Sequence, residues 1–387
     1  MADRAHGGGF YLDHAATTTM RPEAIEAVTA AWTSSFGNAS GTHAVARRAK
    51  NALEDARERA AALLGTERPH DIVFTSGGTE SDNLAVSGAA ASSGRRRIVV
   101  SAIEHKAVGS AARALERHGY AVSEAGCGSD GIVTPEHVEA VVDPDTAVVS
   151  VMAANNEIGT LQPITEIVAV VRERAPGAVF HTDAVQAFVG SPTSLASMGV
   201  DLLSLSAHKF GGPGGVGLLA TASGVRIDPI VHGGGQEAGR RAGTSNVAGI
   251  VGMVVAMEAV ERERVRFESV VGAERDAFEV TLGRLVPGLV VNGAGSPRMP
   301  HFSHVRFPAL RAETILIRLD QAGVFAAAGS ACQSGAVEPS HVLTAMGMTS
   351  DEAAGCVRFS FGWDAAPGDG ERAALAVAEV IDRLGSV

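Results

Sequence analysis

Short, mostly apolar runs recur along the first two thirds of the chain: Ile72 to Thr75, Arg97 to Ser101, Ala147 to Met152, Ala178 to Thr182, Leu202 to Ser206 and Gly215 to Ala220. Runs of this length without strict alternation predict strands covered on both faces. Between several of them, apolar positions return at helical spacing, in Ala44 to Leu64, Lys106 to His118 and Ile164 to Arg174. Strands alternating with helices predict crossover units, a largely parallel sheet and an α/β fold. After a helix near Gly249 to Arg264 the texture changes. A long amphipathic stretch, Val265 to Leu285, precedes short strands around Leu289 to Asn292, His301 to Arg306 and Cys356 to Ser360, and a helix from Glu371 to Leu384. This predicts a smaller α+β unit. With no repeat and no low-complexity linker, the two units are expected to pack closely.

Composition narrows the class of protein. The 387 residues are 45% hydrophobic and 19% charged, a balance that builds a packed core rather than a disordered chain. A net charge of -11 argues against nucleic acid as a direct ligand, because phosphate backbones are held by clustered Lys and Arg. The triplet Arg95, Arg96, Arg97 reads as a solvated cap on the strand that follows. Cys127, Cys332 and Cys356 share no metal-ligand or disulfide spacing, so reduced thiols in cytoplasm are expected, with no bound metal. The polar, glycine-rich Met1 to Gly9 lacks a secretory core, and the apolar run Val247 to Met257 is too short to span a bilayer.

Candidate chemistry sits just after the apolar runs, where ligands gather in such sheets. The run Leu202 to Ser206 continues as Ala207, His208, Lys209 and then Phe210, Gly211, Gly212. A lysine at a strand end in a crevice loses solvation and becomes a nucleophilic amine; the alternative is a surface lysine before a turn. Asp183, ending Ala178 to Thr182, is either a helix cap or the carboxylate that keeps a pyridine nitrogen protonated. Gln186, three residues on, would then reach the ring hydroxyl. The segment Thr75, Ser76, Gly77, Gly78, Thr79 opens a helix and offers free N–H groups to a phosphate, with Gly78 and Thr79 as contacts and Ser206 and His208 reaching the same group. Jointly these residues predict pyridoxal phosphate.

Four further positions extend the site. His105 follows a strand and is either a helix cap or a ring that stacks on the cofactor and exchanges protons with substrate. Asn156, in Asn155 to Gly159, is either a turn residue or an amide that bonds cofactor or substrate. Arg358, inside an apolar strand, needs either an internal ion pair or an anionic ligand such as an α-carboxylate. Cys332 lies among Gly329, Ser330, Ser334 and Gly335, a polar segment in which a thiol is either incidental or exposed and reactive. Cys356 reads as a small core residue and Cys127 as a loop residue.

From Tyr11 to about Arg383 these motifs resemble the NifS/IscS-type cysteine desulfurases, class V aminotransferases with the aspartate-aminotransferase fold. The matching segments are Tyr11 to Thr18, Phe36 to His43, Thr75 to Asn83, Glu104 to Ala107, Asn155 to Gly159, Ser206 to Lys209, His232 to Gln236 and Arg241 to Thr244. The usual pattern is altered at Ala39, Gly78 and Ala242, and at Gln333 and Gly335 beside the cysteine. The resemblance implies a large cofactor-binding domain, 16–258, and a small domain, 259–387 with 1–15. It implies that Lys209 carries the cofactor as a Schiff base, His105 stacks on its ring, and Asp183 and Gln186 hold its nitrogen and hydroxyl. Thr244 would complete the phosphate site of a partner protomer, making an obligate homodimer. Asn156 and Arg358 would hold the carboxylate of L-cysteine, and Cys332 would take its sulfur as a persulfide, with His105 as acceptor of the thiol proton. Delivery to an iron–sulfur scaffold or a tRNA-thiolation enzyme would follow. A related lyase or aminotransferase, including a selenocysteine lyase, and a degenerate cofactor fold acting as a binding platform are the other readings of the same residues.

Overall fold

The computed structural model describes residues 9–328 and 339–385. A short first strand, β1 (Phe10–Tyr11), leads to a seven-stranded sheet made of β2 (Ile72–Thr75), β3 (Arg97–Ser101), β4 (Ala121–Ala125), β5 (Thr146–Ser150), β6 (Val179–Asp183), β7 (Leu202–Ser206) and β8 (Gly217–Thr221). Their order across the sheet is β2-β8-β7-β6-β5-β3-β4. β8 alone is reversed, antiparallel to both β2 and β7, and the remaining neighbours are parallel. Every residue of β2, β5, β7 and β8 is buried, which is why these strands read as unbroken apolar runs. The helices Ala44–Leu64, Lys106–Glu116 and Ile164–Arg174 fall where helical spacing predicts them.

Later elements form a three-stranded antiparallel sheet, β12-β10-β9, from β9 (Val290–Val291), β10 (Phe302–Arg306) and β12 (Cys356–Ser360). A second small pairing joins β1 to β11 (Val324–Phe325) in parallel. The helix Val247–Arg266 passes residue 258 without a break and continues through a π turn, Phe267–Val271, into Gly272–Leu285. An ion pair ties the N-terminal segment to this helix: buried Arg21 places Nη1 2.6 Å from the half-buried Glu263, with the Arg21 guanidinium stacked on Trp363. No helix among the described residues is long and apolar enough to cross a membrane.

Two glycines bring the site's segments together. A side chain at Gly217 would put its first carbon 2.6 Å from the Gly77 carbonyl carbon, so β8 approaches the loop after β2 only without one. Gly159 has a φ of +80°, and a β-carbon there would meet Phe302 Cβ at 2.4 Å. The Asn155 to Gly159 turn therefore closes onto β10, against the smaller sheet.

Candidate active site

Because β2, β3, β5, β6 and β7 point the same way, Thr75, Ser101, Ser150, Asp183 and Ser206 end at one edge of the sheet. A cavity of about 710 Å³ opens there. This size suits a small-molecule site. Among its walls are Gly78, Thr79, His105, Asn156, Asp183 and Gln186, joined by Ser206, His208, Lys209 and Arg358. Thr244 is not in this wall. It lines a small neighbouring cleft that shares Ser76 and Gly215 with the main cavity, and it is exposed.

Lys209 is one of the lining residues. Its Nζ donates to the carbonyls of Ala15 and Ala16, both at 2.7 Å, and burial lowers its pKa to about 8, with Arg358 adding to the fall and Asp183 and Asp13 opposing it. A free amine is therefore far more abundant near neutrality than on an ordinary lysine. Gln186 donates to the same Ala15 carbonyl at 2.9 Å. His208, whose Nδ1 is 3.1 Å from Thr17 Oγ1, is pushed down to about 4 by burial.

Asp183 is buried, and desolvation raises its proton affinity against the pull of His105, the Val185 N–H and Lys209. Asp82 is buried beside it. Single ligand atoms of Asp82, His105 and Asp183 lie within 4.8 Å of one another. Two carboxyls this close in a buried site do not both ionise. Desolvation raises both, the Asp183 charge adding to the rise of Asp82, so the pair favours a single negative charge. Beneath them His181 is neutral, pushed down to about 3 by burial and held by Ser150 Oγ at 2.8 Å and Ser204 Oγ at 2.9 Å. Glu104 is raised to about 8 by desolvation, with one oxygen accepting from Ser101 Oγ and the Met152 N–H.

His105 is the N-cap of the helix Lys106–Glu116, its Nδ1 accepting from the Ala107 N–H at 3.1 Å. Burial lowers its pKa, so the ring is neutral and its proton sits on Nε2. That nitrogen donates, and the ring's lone pair on Nδ1 is engaged by the Ala107 N–H.

The two asparagines divide their work. Asn155 builds the turn, accepting from the Glu157 and Ile158 N–H groups and donating to the Ile103 carbonyl, whereas Asn156 Oδ1 is buried without a partner among the described residues. Arg358 donates from Nη1 to the Asn156 carbonyl at 2.7 Å and from Nη2 to Asp13 at 2.6 Å, and its buried Nε has no partner among the described residues. Cys332 lies outside the described residues. The thiols of Cys127 and Cys356 are each pushed up to about 11 by burial, so both stay protonated at neutral pH. Asp13, Asp82 and His341 also line the cavity and were not singled out from the sequence. Asp13 and Asp82 stand inside Tyr11 to Thr18 and Thr75 to Asn83, but their surroundings and burial need the folded chain.

A sheet-edge cavity lined by a lysine of lowered basicity and a buried carboxylate suits a transferase that works through a bound carbonyl cofactor. The chain matches the family model Aminotransferase class-V over residues 10–369 and belongs to that family. Within it, the chain belongs with the NifS/IscS-like cysteine desulfurases. It is 42% identical to a cysteine desulfurase of Gluconacetobacter diazotrophicus over 97% of this chain and 94% of that one. It is 41% identical to cysteine desulfurase IscS of Dictyoglomus turgidum, covering 91% and 89%. Among solved structures, a NifS-like protein superimposes with a TM-score of 0.90 at 34% identity, covering 97% of this chain and all of that one. SspA in complex with cysteine superimposes with a TM-score of 0.80 at 34% identity, covering 91% and 98%.

Proposed function

We propose that this desulfurase converts L-cysteine to L-alanine with pyridoxal 5'-phosphate bound through Lys209, and that Cys332 receives the sulfur as a persulfide. The convergence of Lys209, Asp183, His105 and Arg358 on one cavity carries the reading. The residues fit the cofactor. Asp183 offers a buried carboxylate to a ring nitrogen, Lys209 offers an amine of lowered basicity, and Asn156 Oδ1 and Arg358 Nε are buried polar atoms without partners among the described residues. When bound, pyridoxal phosphate supplies an electrophilic carbon for amines and an electron sink for bonds broken next to it.

Gly78, Thr79, Ser206 and His208 would hold the phosphate, His105 the ring face, and Gln186 the ring hydroxyl through its second amide proton. Arg358 and Asn156 would take the substrate carboxylate, which competes with Asp13 for the guanidinium. Lys209, released from its carbonyl partners, moves the α-proton. Thr244 would serve the phosphate site of a second copy of the chain, because it is exposed and does not line its own protomer's cavity. The exposed Trp32 and Phe36, at 70% and 62%, offer apolar surface to that copy. Sulfur would pass on to an acceptor thiol, such as that of an iron–sulfur scaffold or a tRNA-thiolation enzyme, in the cytoplasm where thiols stay reduced. The relative solved with cysteine supports the substrate. In the test, apo protein is loaded with the cofactor and given L-cysteine. Alanine release by the wild type and none by Lys209→Ala is expected; wild type that binds the cofactor and releases no alanine overturns the reading.

A further inference from the structure

Transfer of sulfur from L-cysteine requires a base for the substrate thiol. Several groups in the cavity wall are unsuited to that role. His105 presents Nε2–H, because the Ala107 N–H occupies Nδ1. His208 is too weakly basic, Asp13 is paired with Arg358, and Glu80 with Arg241 and Ser76. Lys209 is engaged with the α-proton. His341 differs from all of them. Its Nε2 lies 2.8 Å from the Glu104 carbonyl, which only accepts, so Nε2 carries the proton and Nδ1 keeps a lone pair.

His341 is also held in place. It is the first residue of the helix His341–Ala345, capped by Ser340 Oγ, which accepts from the Val342 and Leu343 N–H groups. The same hydroxyl donates to the buried Glu157 at 2.6 Å. The ring is thus fixed at one end to Glu104, next to His105, and at the other, through Ser340 and Glu157, to the turn that carries Asn156. It lines the cavity and is exposed to solvent, so a proton taken there can leave. The charged and titratable groups facing it are His105 and Lys106 on one side and Glu157 on the other.

We propose that His341 Nδ1 is the general base that takes the proton of the substrate thiol. The S–H bond breaks, its electron pair stays on sulfur, and the imidazole becomes imidazolium. When the carbon–sulfur bond later breaks with its pair on carbon, the methyl group of alanine needs one proton, the number His341 has taken up. As that bond breaks, the Cys332 thiolate gives its own pair to the sulfur and the sulfur–sulfur bond of the persulfide forms, so no outside oxidant is required. The inference rests on the function proposed above.

His341→Gln keeps an N–H donor for the Glu104 carbonyl and removes the base. In the cofactor-loaded variant, kcat/KM for L-cysteine is expected to fall about 100-fold, and the acidic limb of its pH profile to flatten. Exchange of the α-proton of L-alanine in deuterated water, which needs Lys209 and no thiol base, is expected at the wild-type rate, with unchanged cofactor absorbance. Imidazole is expected to restore part of the turnover in His341→Gly. Wild-type turnover with an unchanged pH profile in His341→Gln overturns this inference alone, as does an equal loss of α-proton exchange, which marks a positioning role. Wild type that binds the cofactor but releases no alanine overturns it together with the parent reading.

Discussion

Cofactor capture by the apo protein reports directly on the environment of Lys209. Burial and the Arg358 charge bring the amine to about 8 from an ordinary 10.5, a fall of about 2.5 units. At pH 7 an ordinary lysine is neutral in about one molecule in 3,000, and one titrating near 8 in about one in 11, a gain of roughly 300-fold in reactive amine. Because the neutral form attacks, capture should quicken about tenfold per pH unit below the lowered pKa and level off just above it. The assay mixes apo protein briefly with pyridoxal phosphate across pH 6 to 10, traps the adduct with borohydride, and quantifies the modified Lys209 peptide by mass. Arg358→Gln removes a repelling charge, so the plateau should move to higher pH. A wild-type rate that still climbs tenfold per unit beyond about pH 9.5 would refute the claim that burial has lowered this lysine.

Other expectations follow from the same geometry. Glu237 makes a bidentate pair with the buried Arg57, at 2.7 and 2.8 Å, and accepts the Phe74 N–H at 3.0 Å. Glu237→Ala leaves that guanidinium only the partly exposed Glu54, 3.2 Å from Nε, and should cost about 3 kcal/mol in urea unfolding, whereas Arg57→Met with Glu237→Leu should recover most of it. Arg358→Lys should raise KM for L-cysteine about 10- to 100-fold with a smaller change in kcat, since a point charge replaces a planar fork. Asp183→Asn retains an acceptor for the Val185 N–H but loses the charge; weaker cofactor binding and a shifted pH titration of the bound chromophore are expected by absorbance.

Much of the sheet was legible because its strands are covered on both faces and leave unbroken apolar runs. β4 was not, since Ala121–Ala125 lies at the sheet edge, is mostly exposed or half-buried and carries Ser123 and Glu124. Nor does periodicity reveal that β8 is reversed, because strand direction depends on the connection and leaves the run itself unchanged. The two-residue strands β1 and β11 are too short to signal. In the site, Lys209, Asp183 and His105 follow strands and could be placed at the sheet edge from their position alone. The Arg358 pair with Asp13 joins residues 345 positions apart, and local patterning does not register it. Tautomers are equally hidden: His105 as cap and donor, and His341 as acceptor, are fixed by an N–H and a carbonyl that only the fold brings near.

Transfer of sulfur to Cys332 is most directly tested by mass. Purified protein loaded with pyridoxal phosphate is given L-cysteine without reductant, and alanine is counted beside the mass of the Cys332 peptide. One alanine per site with one added sulfur on that peptide is expected, with Cys332→Ala losing both the added sulfur and the alanine burst while still binding the cofactor. Stoichiometric alanine with an unmodified Cys332 peptide, or full turnover by Cys332→Ala, would contradict the account.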